Sequence, residues 1–542
     1  MKRPTILIAS AMLVTGAVLI VAFGGVAGAA APSNTQQDRQ SLARHILDPR
    51  VKAYMTPATR TAFRTIATGG ATSAPTTGSD LNLKAKLGQG GAAPPAPSFA
   101  NVRVNAPGMD SNRTDQTTQS ETSIAVAGSN VVVGYNDSQH ALFRASAGFD
   151  TIGVAYSTDG GAHFTDGDVI PNAPEFVNIA DPWLASDRAG NVYFSFIMED
   201  FLYGNDVIGV AKSTDGGKTF APPVPTTRPT DFAYLSDKDA MAVGPDPNVK
   251  ARDNVYVAWD DFRLTTADFT LGLALARSTD GGTTWDVTDV ARNPLDPFTC
   301  SVTQYFGAQV GVDQKSGTLY VAAEKVFTDD PDCTGGTPQL SEVIFRSSDG
   351  GKTFGPETKI ADITQATPNR FLALAPGQIM RTTEAPSLAV DGNNLYVAWN
   401  DGATGKSHIR LATSTDGGAS WSVAGATQGM NDEVQPAVSV DSKGIHLIYY
   451  RRNADNTLDV FLQNSRASGG WDTLRVTSQS FPGSITVPNF DPWADAGYMG
   501  DYIANVSDGS RQYFAWGDNR DRVTNFLWPN GRNDPNVYFA KQ

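Results

Sequence analysis

The chain has 542 residues, and 56 Asp and Glu outnumber 42 Lys and Arg, so its formal net charge is −14 at pH 7. An acidic chain argues against nucleic acid as the main partner, because phosphate backbones are bound by basic surfaces. The length exceeds what one compact core usually holds, although folds made of repeated units grow by adding units.

The N-terminal segment is typical of a secretory signal. Lys2 and Arg3 precede an apolar run from Ile6 to Val26, and small residues follow at Ala27–Ala29. This pattern predicts a signal peptide over residues 1–29, a secreted protein and no membrane association after cleavage. An uncleaved membrane anchor is the alternative, because the run is long enough to span a bilayer.

Two further segments precede the main domain. Residues 30–66 carry spaced apolar residues interrupted by Pro49 and Pro57, which predicts one or two short helices. Residues 67–100 consist mostly of Gly, Ala, Ser, Thr and Pro, which is typical of a flexible linker. Residues 101–542 carry alternating apolar runs throughout, and we treat them as one all-β domain.

An octapeptide with the pattern Ser-X-Asp-Gly-Gly-X-X-aromatic follows a run of alternating apolar residues at each of its occurrences. Its five copies are Ser157–Phe164, Ser213–Phe220, Ser278–Trp285, Ser347–Phe354 and Ser414–Trp421. The alternation predicts a strand, and Asp-Gly predicts a hairpin, because glycine adopts positive φ without strain. The Asp and Ser side chains can accept N–H groups of the same turn. We interpret the octapeptide as a folding device with no part in chemistry.

A second repeat is a pair of short strands, clearest as Pro386–Asp391 followed by Asn394–Asp401. Seven such pairs occur, and their first strands begin near Glu121, Asp181, Asp237, Tyr305, Pro386, Val434 and Asp501. The last repeat lacks an outer strand, whereas Asn101–Asn105 lies before the first pair without a partner of its own. We therefore predict that Asn101–Asn105 completes the last sheet, which removes an exposed edge.

The octapeptides resemble the Asp-box, or BNR repeat, of sialidase-like β-propellers, and the resemblance covers residues 101–542. It implies an all-β propeller of four-stranded blades. The boxes are expected on the hairpins between the third and fourth strands, on the face opposite the active site. Counting strand pairs predicts seven blades, with six or eight as alternatives.

Charged residues concentrate in the loops that enter first strands and leave second strands, which share one face of a propeller. Carboxylates beside arginines can support glycoside hydrolysis. The resemblance implies the sialidase arrangement, in which a Glu activates a nucleophilic Tyr, an Asp is the acid/base and three Arg hold the substrate carboxylate. For the catalytic roles, the candidates are Asp181, Asp237, Glu384 and Tyr502, with Tyr498 and Glu121 as alternatives to the last two. Arg381, Arg451 and Arg520 are the candidate substrate-binding cluster.

The two cysteines, Cys300 and Cys333, flank the strand pair of the fourth repeat on the same face. In an exported protein a disulfide between them is the expected state, with two independent thiols as the alternative. None of the five histidines has metal-ligand spacing, and no Asp-X-Asp-X-Asp-Gly loop occurs, so we predict neither a metal site nor a cofactor.

Three functions remain open, because a fold alone does not fix an activity. The first is a secreted, sialidase-like glycoside hydrolase, which predicts paired carboxyls or a Tyr–Glu contact beside an arginine cluster. The second is a propeller without catalytic activity that binds glycan or protein. The third is a polysaccharide lyase, which predicts a Tyr or His beside a charge-neutralising Arg or Lys. A carbohydrate partner is expected in the first and third cases, and the sequence leaves the oligomeric state open.

Overall fold

The computed structural model describes residues 95–107, 118–138, 150–200, 205–230, 234–264, 269–295, 299, 301–332, 334, 336–367, 370–374, 379–483, 499–524 and 529–542. Within these ranges the chain is built from strands and contains no α-helix, so the all-β prediction is confirmed. It follows that no described helix could span a membrane. The predicted signal peptide, the helical segment and residues 67–94 of the linker lie outside the described residues.

The described strands form seven groups of four that we call sheets 1 to 7, numbered in chain order. Sheet 1 contains β2 (Gln119–Ala127), β3 (Asn130–Asp137), β4 (Ile152–Ser157) and β5 (Thr165–Val169). Sheet 2 contains β6 (Phe176–Ser186), β7 (Val192–Asp200), β8 (Asp206–Ser213) and β9 (Val224–Pro225). Sheet 3 contains β10 (Tyr234–Pro245), β11 (Asp253–Leu264), β12 (Phe269–Ser278) and β13 (Asp286–Pro294). Sheets 2 and 3 are joined by one parallel pairing, Leu235 with Asp206.

The remaining sheets follow the same order. Sheet 4 contains β14 (Val302–Val312), β15 (Leu319–Thr328), β16 (Gln339–Ser347) and β17 (Thr358–Ile363). Sheet 5 contains β20 (Ser387–Asp391), β21 (Asn394–Asp401), β22 (His408–Ser414) and β23 (Ser422–Gly425). Sheet 6 contains β24 (Glu433–Asp441), β25 (Gly444–Arg452), β26 (Leu458–Ser465) and β27 (Trp471–Arg475). A separate hairpin, β18 (Phe371–Ala373) with β19 (Ile379–Arg381), lies between sheets 4 and 5 in the chain.

Sheet 7 joins the two ends of the described chain. It contains β28 (Ala504–Ser507), β29 (Gln512–Val523), β30 (Arg532–Lys541) and β1 (Val102–Arg103). In its register Val102 pairs with Phe539 and Arg103 with Tyr538. The predicted pairing of Asn101–Asn105 with the last strand is therefore present, and the edge of β30 is covered.

The segment just before β1 is also packed against the sheets. The Ser98 N–H donates to the Arg475 carbonyl at 3.0 Å, and the Phe99 ring meets the Phe514 ring edge-on at 6.1 Å between centroids. Residues 95–100, whose composition is that of a linker, thus lie against sheets 6 and 7.

The first strands of successive sheets contact one another. The contacting pairs are β2 with β6, β6 with β10, β10 with β14, β14 with β20, β20 with β24, β24 with β28 and β28 with β2. The apolar side chains between neighbouring sheets are buried, as with Val132 of sheet 1 and Phe194 of sheet 2, which belong to one core cluster. Strands covered on both faces read as nearly continuous apolar runs, as Val131–Tyr135 does.

The octapeptides form the hairpins between the third and fourth strands of sheets 1 to 5. In the Ser414 copy, the hydroxyl donates to Asp416 Oδ1 at 2.8 Å and accepts the Gly418 N–H at 2.9 Å. The same carboxylate oxygen accepts the Ser420 N–H at 2.9 Å. The other four copies repeat these bonds. The carboxylate therefore satisfies N–H groups of its own turn, as the sequence predicts.

The second glycine of the octapeptide also lets neighbouring sheets approach. A Cβ on Gly217 would lie 2.1 Å from Val132 of sheet 1, and one on Gly161 would lie 2.4 Å from Phe539 of sheet 7. Both glycines have positive φ, 87° and 86°. Turn geometry and packing between sheets therefore both exclude a side chain here.

We expect Gly217→Ala to lower the free energy of unfolding by roughly 2–4 kcal/mol, because backbone strain adds to overpacking against Val132. The matched control is Gly190→Ala, which has a φ of 86° but nothing within 4 Å of its Cβ; it should lose only about 1 kcal/mol. Urea denaturation of the three proteins measures both values. Equal losses in the two variants would show that the glycine does not serve the contact between sheets.

Candidate active site

Most first strands carry a β-bulge near the end at which they enter the sheet. At the bulges of β2, β6, β10 and β24, the residue in the left-handed region is Glu121, Asp181, Lys238 or Gln435, with φ of 52°, 60°, 52° and 52°. Positive φ in residues other than glycine costs free energy and is concentrated at functional sites. The repeated strain marks this end of the first strands as a candidate site.

At the bulges of β6, β10, β14 and β24, a backbone N–H donates to a polar side chain of a neighbouring sheet. The Asp181 N–H donates to Asn136 Oδ1 at 3.1 Å, and the Lys238 N–H donates to Asp181 Oδ2 at 3.1 Å. The Gly307 N–H of β14 donates to Asp260 Oδ2 at 2.8 Å. Because these bonds cross from one sheet to the next, they bring acidic side chains of different sheets together.

We use the name central cluster for Glu121, Asp181, Asp237, Lys238, Asp239 and Tyr502. Within it, Glu121 accepts the Asn136 side-chain amide at 2.6 Å and the Asp501 N–H at 3.0 Å. The pKa of Asp181 lies well above its ordinary value, because burial disfavours the charged form and the neighbouring Glu121 carboxyl repels it and shares a hydrogen bond with it. Burial and the second acid therefore both favour the protonated form of Asp181.

Lys238 is the positive charge of the central cluster. Its side chain is buried, and its Nζ has no hydrogen-bond partner among the described residues. The Nζ lies 3.1 Å from the centroid of the Tyr502 ring and 6.0 Å from that of Trp183. Burial raises the pKa of Asp239 to about 7, against the lowering effect of the Ser195 hydrogen bond and the Lys238 charge.

Tyr502 lies where the sequence placed a possible nucleophile, but its surroundings oppose ionisation. Its hydroxyl donates to the Pro182 carbonyl at 3.1 Å, and its ring contacts Trp183 at 5.5 Å between centroids. Burial and the charges of Glu121 and Asp181 raise its pKa well above the ordinary value. The phenolate form is therefore disfavoured, and Glu121 is the acid beside the ring.

The structure brings together three of the four predicted catalytic residues. Asp237 pairs with Asp260 across β10 and β11, and its charge raises the pKa of both Asp181 and Asp260. Asp181, Asp237 and Tyr502 thus belong to one cluster. Lys238 follows Asp237, which the sequence had singled out, and the missed signal was this single base between Asp237 and Asp239. Trp183 was also missed.

Glu384 belongs to a different cluster, between sheets 4 and 5. Its Oε2 lies 2.9 Å from Arg370 Nη2, and the other guanidinium contacts go to Glu324. All three side chains are fully buried. Burial raises the pKa of Glu384 to about 8 although Arg370 lowers it. The described contacts of Glu384 therefore include Arg370 and not Tyr502, beside which it was expected, and its side chain is fully buried.

The three predicted substrate-binding arginines engage different partners. Arg381, on β19, forms an ion pair with Asp501 at 2.9 Å, at the edge of the central cluster. Arg451 lies over the Phe461 ring, 3.4 Å from its centroid. Arg520 pairs with Asp518 at 2.6 Å and stacks on Tyr538. They share no partner among the described contacts, so the predicted three-arginine cluster is not formed.

A cavity of about 120 Å³ adjoins the central cluster. Lys238, Trp183, Tyr502, Thr383 and Gln435 are among its lining residues. It is smaller than the roughly 300–1,000 Å³ of typical ligand pockets, so only part of a ligand would enter it. The described residues contain no group of acids, histidines or cysteines arranged to hold a metal ion. Cys300 and Cys333 lie outside the described residues.

No protein-family model matches the chain, and no curated protein matches it significantly. Solved structures with a similar fold include an ulvan lyase, a polysaccharide lyase bound to a GlcA(1-4)Rha3S unit (TM-score 0.42, 14% identity, 65% of this chain and 80% of that one). Others are an α-L-arabinofuranosidase of Fusarium graminearum (0.41, 11%, 81% and 97%) and a leech intramolecular trans-sialidase (0.38, 10%, 67% and 69%). At these TM-scores and identities the similar structures decide no question of function.

Glu342 on β16 lies beside Arg370, Glu324 and Glu384, which we call the Arg370 cluster. It is fully buried, and neither carboxyl oxygen has a hydrogen-bond partner among the described residues. Burial, and then the charges of Glu324 and Glu384, raise its pKa. The folded state therefore keeps a proton that the unfolded chain loses above about pH 4.3, and stability falls as the pH rises from there towards the folded pKa.

We expect Glu342→Gln to reduce the loss of unfolding free energy between about pH 5 and about pH 8 by roughly 1–3 kcal/mol, because the amide does not titrate. Urea denaturation at both pH values measures the difference. Asp362→Asn, on a side chain that is 79% exposed, is the control and should leave the pH dependence unchanged. A Glu342→Gln protein with the wild-type pH dependence would contradict the prediction.

Proposed function

We propose that the seven sheets form a closed seven-bladed β-propeller of the Asp-box type. Three observations support it: seven groups of four strands, first-strand contacts that return from β28 to β2, and the pairing of β1 with β30. The octapeptide hairpins between third and fourth strands agree with the resemblance. In this arrangement the central cluster lies on the propeller axis, at the end opposite the octapeptides.

We propose that the protein is a glycoside hydrolase and that the central cluster is its active site. The observation that carries this proposal is the buried Asp181 carboxyl beside the Glu121 carboxyl, since burial and this neighbour raise the pKa of Asp181. A raised pKa suits a general acid that works near neutral pH. Trp183 and Tyr502 offer aromatic surface at the edge of the adjoining cavity, on which a sugar ring can pack.

In the proposed reaction Asp181 donates its proton to the leaving glycosidic oxygen as the bond to the anomeric carbon breaks. The Asp181 carboxylate then accepts a proton from the water that adds to this carbon, so Asp181 ends in its starting state. The Glu121 carboxyl, which is hydrogen-bonded to Asp181 and too close to it to act from the opposite face of the sugar, keeps the pKa of Asp181 raised. Tyr502 packs against the site without acting as the nucleophile, because its hydroxyl is bound to Pro182 and its ionisation is disfavoured.

A polysaccharide lyase is the second candidate, and the contact of Lys238 with Tyr502 favours it. A lyase would use Tyr502 as the base that abstracts a proton beside a carboxylate whose charge Lys238 neutralises. The raised pKa of Tyr502 favours the hydrolase of the two. A lyase forms an unsaturated sugar that absorbs ultraviolet light, whereas a hydrolase forms none, so the absorbance of the product separates them.

The localisation is proposed from the N-terminal sequence: a secreted protein whose signal is removed after residue 29. An oxidising compartment allows the predicted disulfide. Residues that lie near the two cysteines in sequence are close together in the structure. The Asp330 N–H donates to Ser301 Oγ at 2.9 Å, and Val302 pairs with Thr328. We therefore propose that Cys300 and Cys333 form a disulfide that shapes the rim of the same face.

Substitution of the proposed acid tests the hydrolase. Asp181→Asn keeps the acceptor for the Lys238 N–H but cannot donate a proton to the leaving group, so kcat/KM should fall about 10²–10⁴-fold. Tyr502→Phe should change kcat less than tenfold, since it removes only the bond to Pro182. The assay is release of the fluorophore from a panel of aryl glycosides by folded, purified protein.

Two outcomes would contradict this assignment. Loss of all turnover in Tyr502→Phe, with Asp181→Asn still active, would return Tyr502 to the role of nucleophile. Absence of turnover by wild-type protein on every glycoside, together with specific binding to a glycan array, would favour a propeller without catalytic activity.

The disulfide gives a separate prediction. Alkylation should raise the intact mass of the protein by two cysteine adducts only if the protein is reduced first. Reduction should lower the free energy of unfolding by roughly 3–4 kcal/mol, because the bridge closes a loop of about 33 residues. Cys300→Ser with Cys333→Ser should be insensitive to the reductant. Two free thiols in the untreated protein would rule the bridge out.

A further inference from the structure

Acidic side chains outnumber basic ones around the central cluster. Six carboxyl groups interact there, whereas two basic side chains accompany them: Lys238 and Arg381. The acids are Glu121, Asp181, Asp237, Asp239, Asp260 and Asp501. All six are nearly or fully buried. In this buried, low-dielectric environment the carboxyl groups interact strongly with any charged group that binds.

We infer that the sugar bound at the central cluster carries a free amino group and no acid group, so that the substrate is a cationic, amino-sugar glycan. This inference rests on the proposed function, since it names the substrate of the same site. It departs from what the resemblance to sialidases implies, because sialic acids are anions.

The acids have room for a second positive charge. Lys238 is a single ammonium among them, and unpaired carboxyl oxygens remain, as with Asp239, whose Oδ1 has no hydrogen-bond partner among the described residues. Asp239 and Asp260 both keep a raised pKa although Lys238 lowers it. A bound ammonium would stabilise their charged forms, whereas a bound carboxylate would add repulsion.

The aromatic rings show that this site already accommodates an ammonium. The Nζ of Lys238 lies 3.1 Å from the Tyr502 ring centroid and has no hydrogen-bond partner among the described residues. The face of an aromatic ring attracts cations and repels anions. Trp183 and Tyr502 both line the adjoining cavity, and so does Asp501, so a ligand amine there would meet a ring face and a carboxyl group together.

The cavity also offers neutral groups that suit sugar hydroxyls. Thr383 and Gln435 both line it, and their buried atoms Thr383 Oγ1 and Gln435 Oε1 have no hydrogen-bond partner among the described residues. Buried polar atoms normally have partners. A donor and an acceptor left without one are therefore available to a ligand with hydroxyl groups.

The arginines near the site are already engaged. Arg381 pairs with Asp501, and the neighbouring Arg370 pairs with Glu324 and Glu384. A carboxylate or sulfate is usually held by the forked guanidinium of an arginine. An anionic sugar would have to displace one of these internal pairs, which leaves a buried carboxylate uncompensated.

The test compares three tetrasaccharides of similar length by calorimetric titration at about pH 6. They are a glucosamine oligomer, its N-acetylated counterpart and an oligogalacturonate. We expect the glucosamine oligomer to bind at least tenfold more tightly than the acetylated one, and the oligogalacturonate more weakly than both. Raising NaCl from about 50 mM to about 500 mM should weaken the cationic oligomer about tenfold and leave the neutral one unchanged.

Variants assign the preference to the central cluster. Asp239→Asn keeps an oxygen acceptor for Ser195 but removes a carboxyl group that a bound ammonium would ionise, so it should reduce the preference for the cationic oligomer severalfold. Lys238→Met removes the resident ammonium and should increase that preference. Asp391→Asn, an exposed acid on the hairpin between β20 and β21, is the matched control and should change nothing. Equal effects of Asp239→Asn and Asp391→Asn would mean that only the overall negative charge attracts the oligomer, which overturns the inference.

The inference and the proposed function fail in different ways. Tighter binding or faster turnover of an acidic sugar, or no binding of any of the three oligomers, overturns the inference. Turnover of a neutral or anionic aryl glycoside that Asp181→Asn abolishes would then still support the hydrolase. Binding of the cationic oligomer without turnover of any aryl glycoside or oligomer supports the inference and overturns the hydrolase.

Discussion

The hydrogen bond from a bulged backbone N–H to a polar side chain of a neighbouring sheet recurs around the centre of the structure. It links Asp181 to Asn136, Gly307 to Asp260 and Gln435 to Asn400. An N–H buried at this position without an acceptor would cost about as much as a lost hydrogen bond. Each sheet must therefore supply a carboxylate or amide at the point where the first strands meet.

This requirement explains why acids accumulate in a place where they repel one another. Glu121 accepts the Asp501 N–H and Asp181 accepts the Lys238 N–H, so both carboxyls hold sheets together. Their closeness and burial then raise the pKa of Asp181. The same contacts that join the sheets thus place two carboxyls together and favour the protonated form of Asp181. The structural role and the proposed catalytic role coincide in these residues, and the substitutions used to separate them have to keep the acceptor atoms in place.

The acids of the Arg370 cluster have different surroundings from those of the central cluster. Glu324 and Glu384 are bound to a guanidinium and fully enclosed, whereas Glu342 has no counter-charge of its own. In the central cluster a single lysine stands among the acids and an adjoining cavity remains. A buried ion pair contributes little net stability, because desolvation offsets the attraction. The enclosed cluster is therefore a pH-sensitive part of the core, and the cluster beside the cavity is the one suited to a ligand.

The sequence alone determined the strands, the hairpins and the pairing of the two chain ends. These features follow from local patterns: alternation of apolar residues, Asp-Gly turns that need positive φ, and an unpaired strand at each end. It also placed Asp181, Asp237 and Tyr502 at one end of the sheets, because the loops that enter first strands lie on one face.

Which charged residues meet was decided only by the tertiary structure. Successive side chains of a strand point to opposite faces, so Tyr450 reaches the Gly517 carbonyl of sheet 7 while Arg451 lies over Phe461. β-Bulges at Glu121 and Lys238 shift this alternation, and no residue pattern in the sequence predicts where such bulges occur. Arg381 stands on the β18–β19 hairpin, which interrupts the repeat. Local periodicity fixes where strands begin and end, but the partner of a charged side chain depends on contacts between residues far apart in the chain.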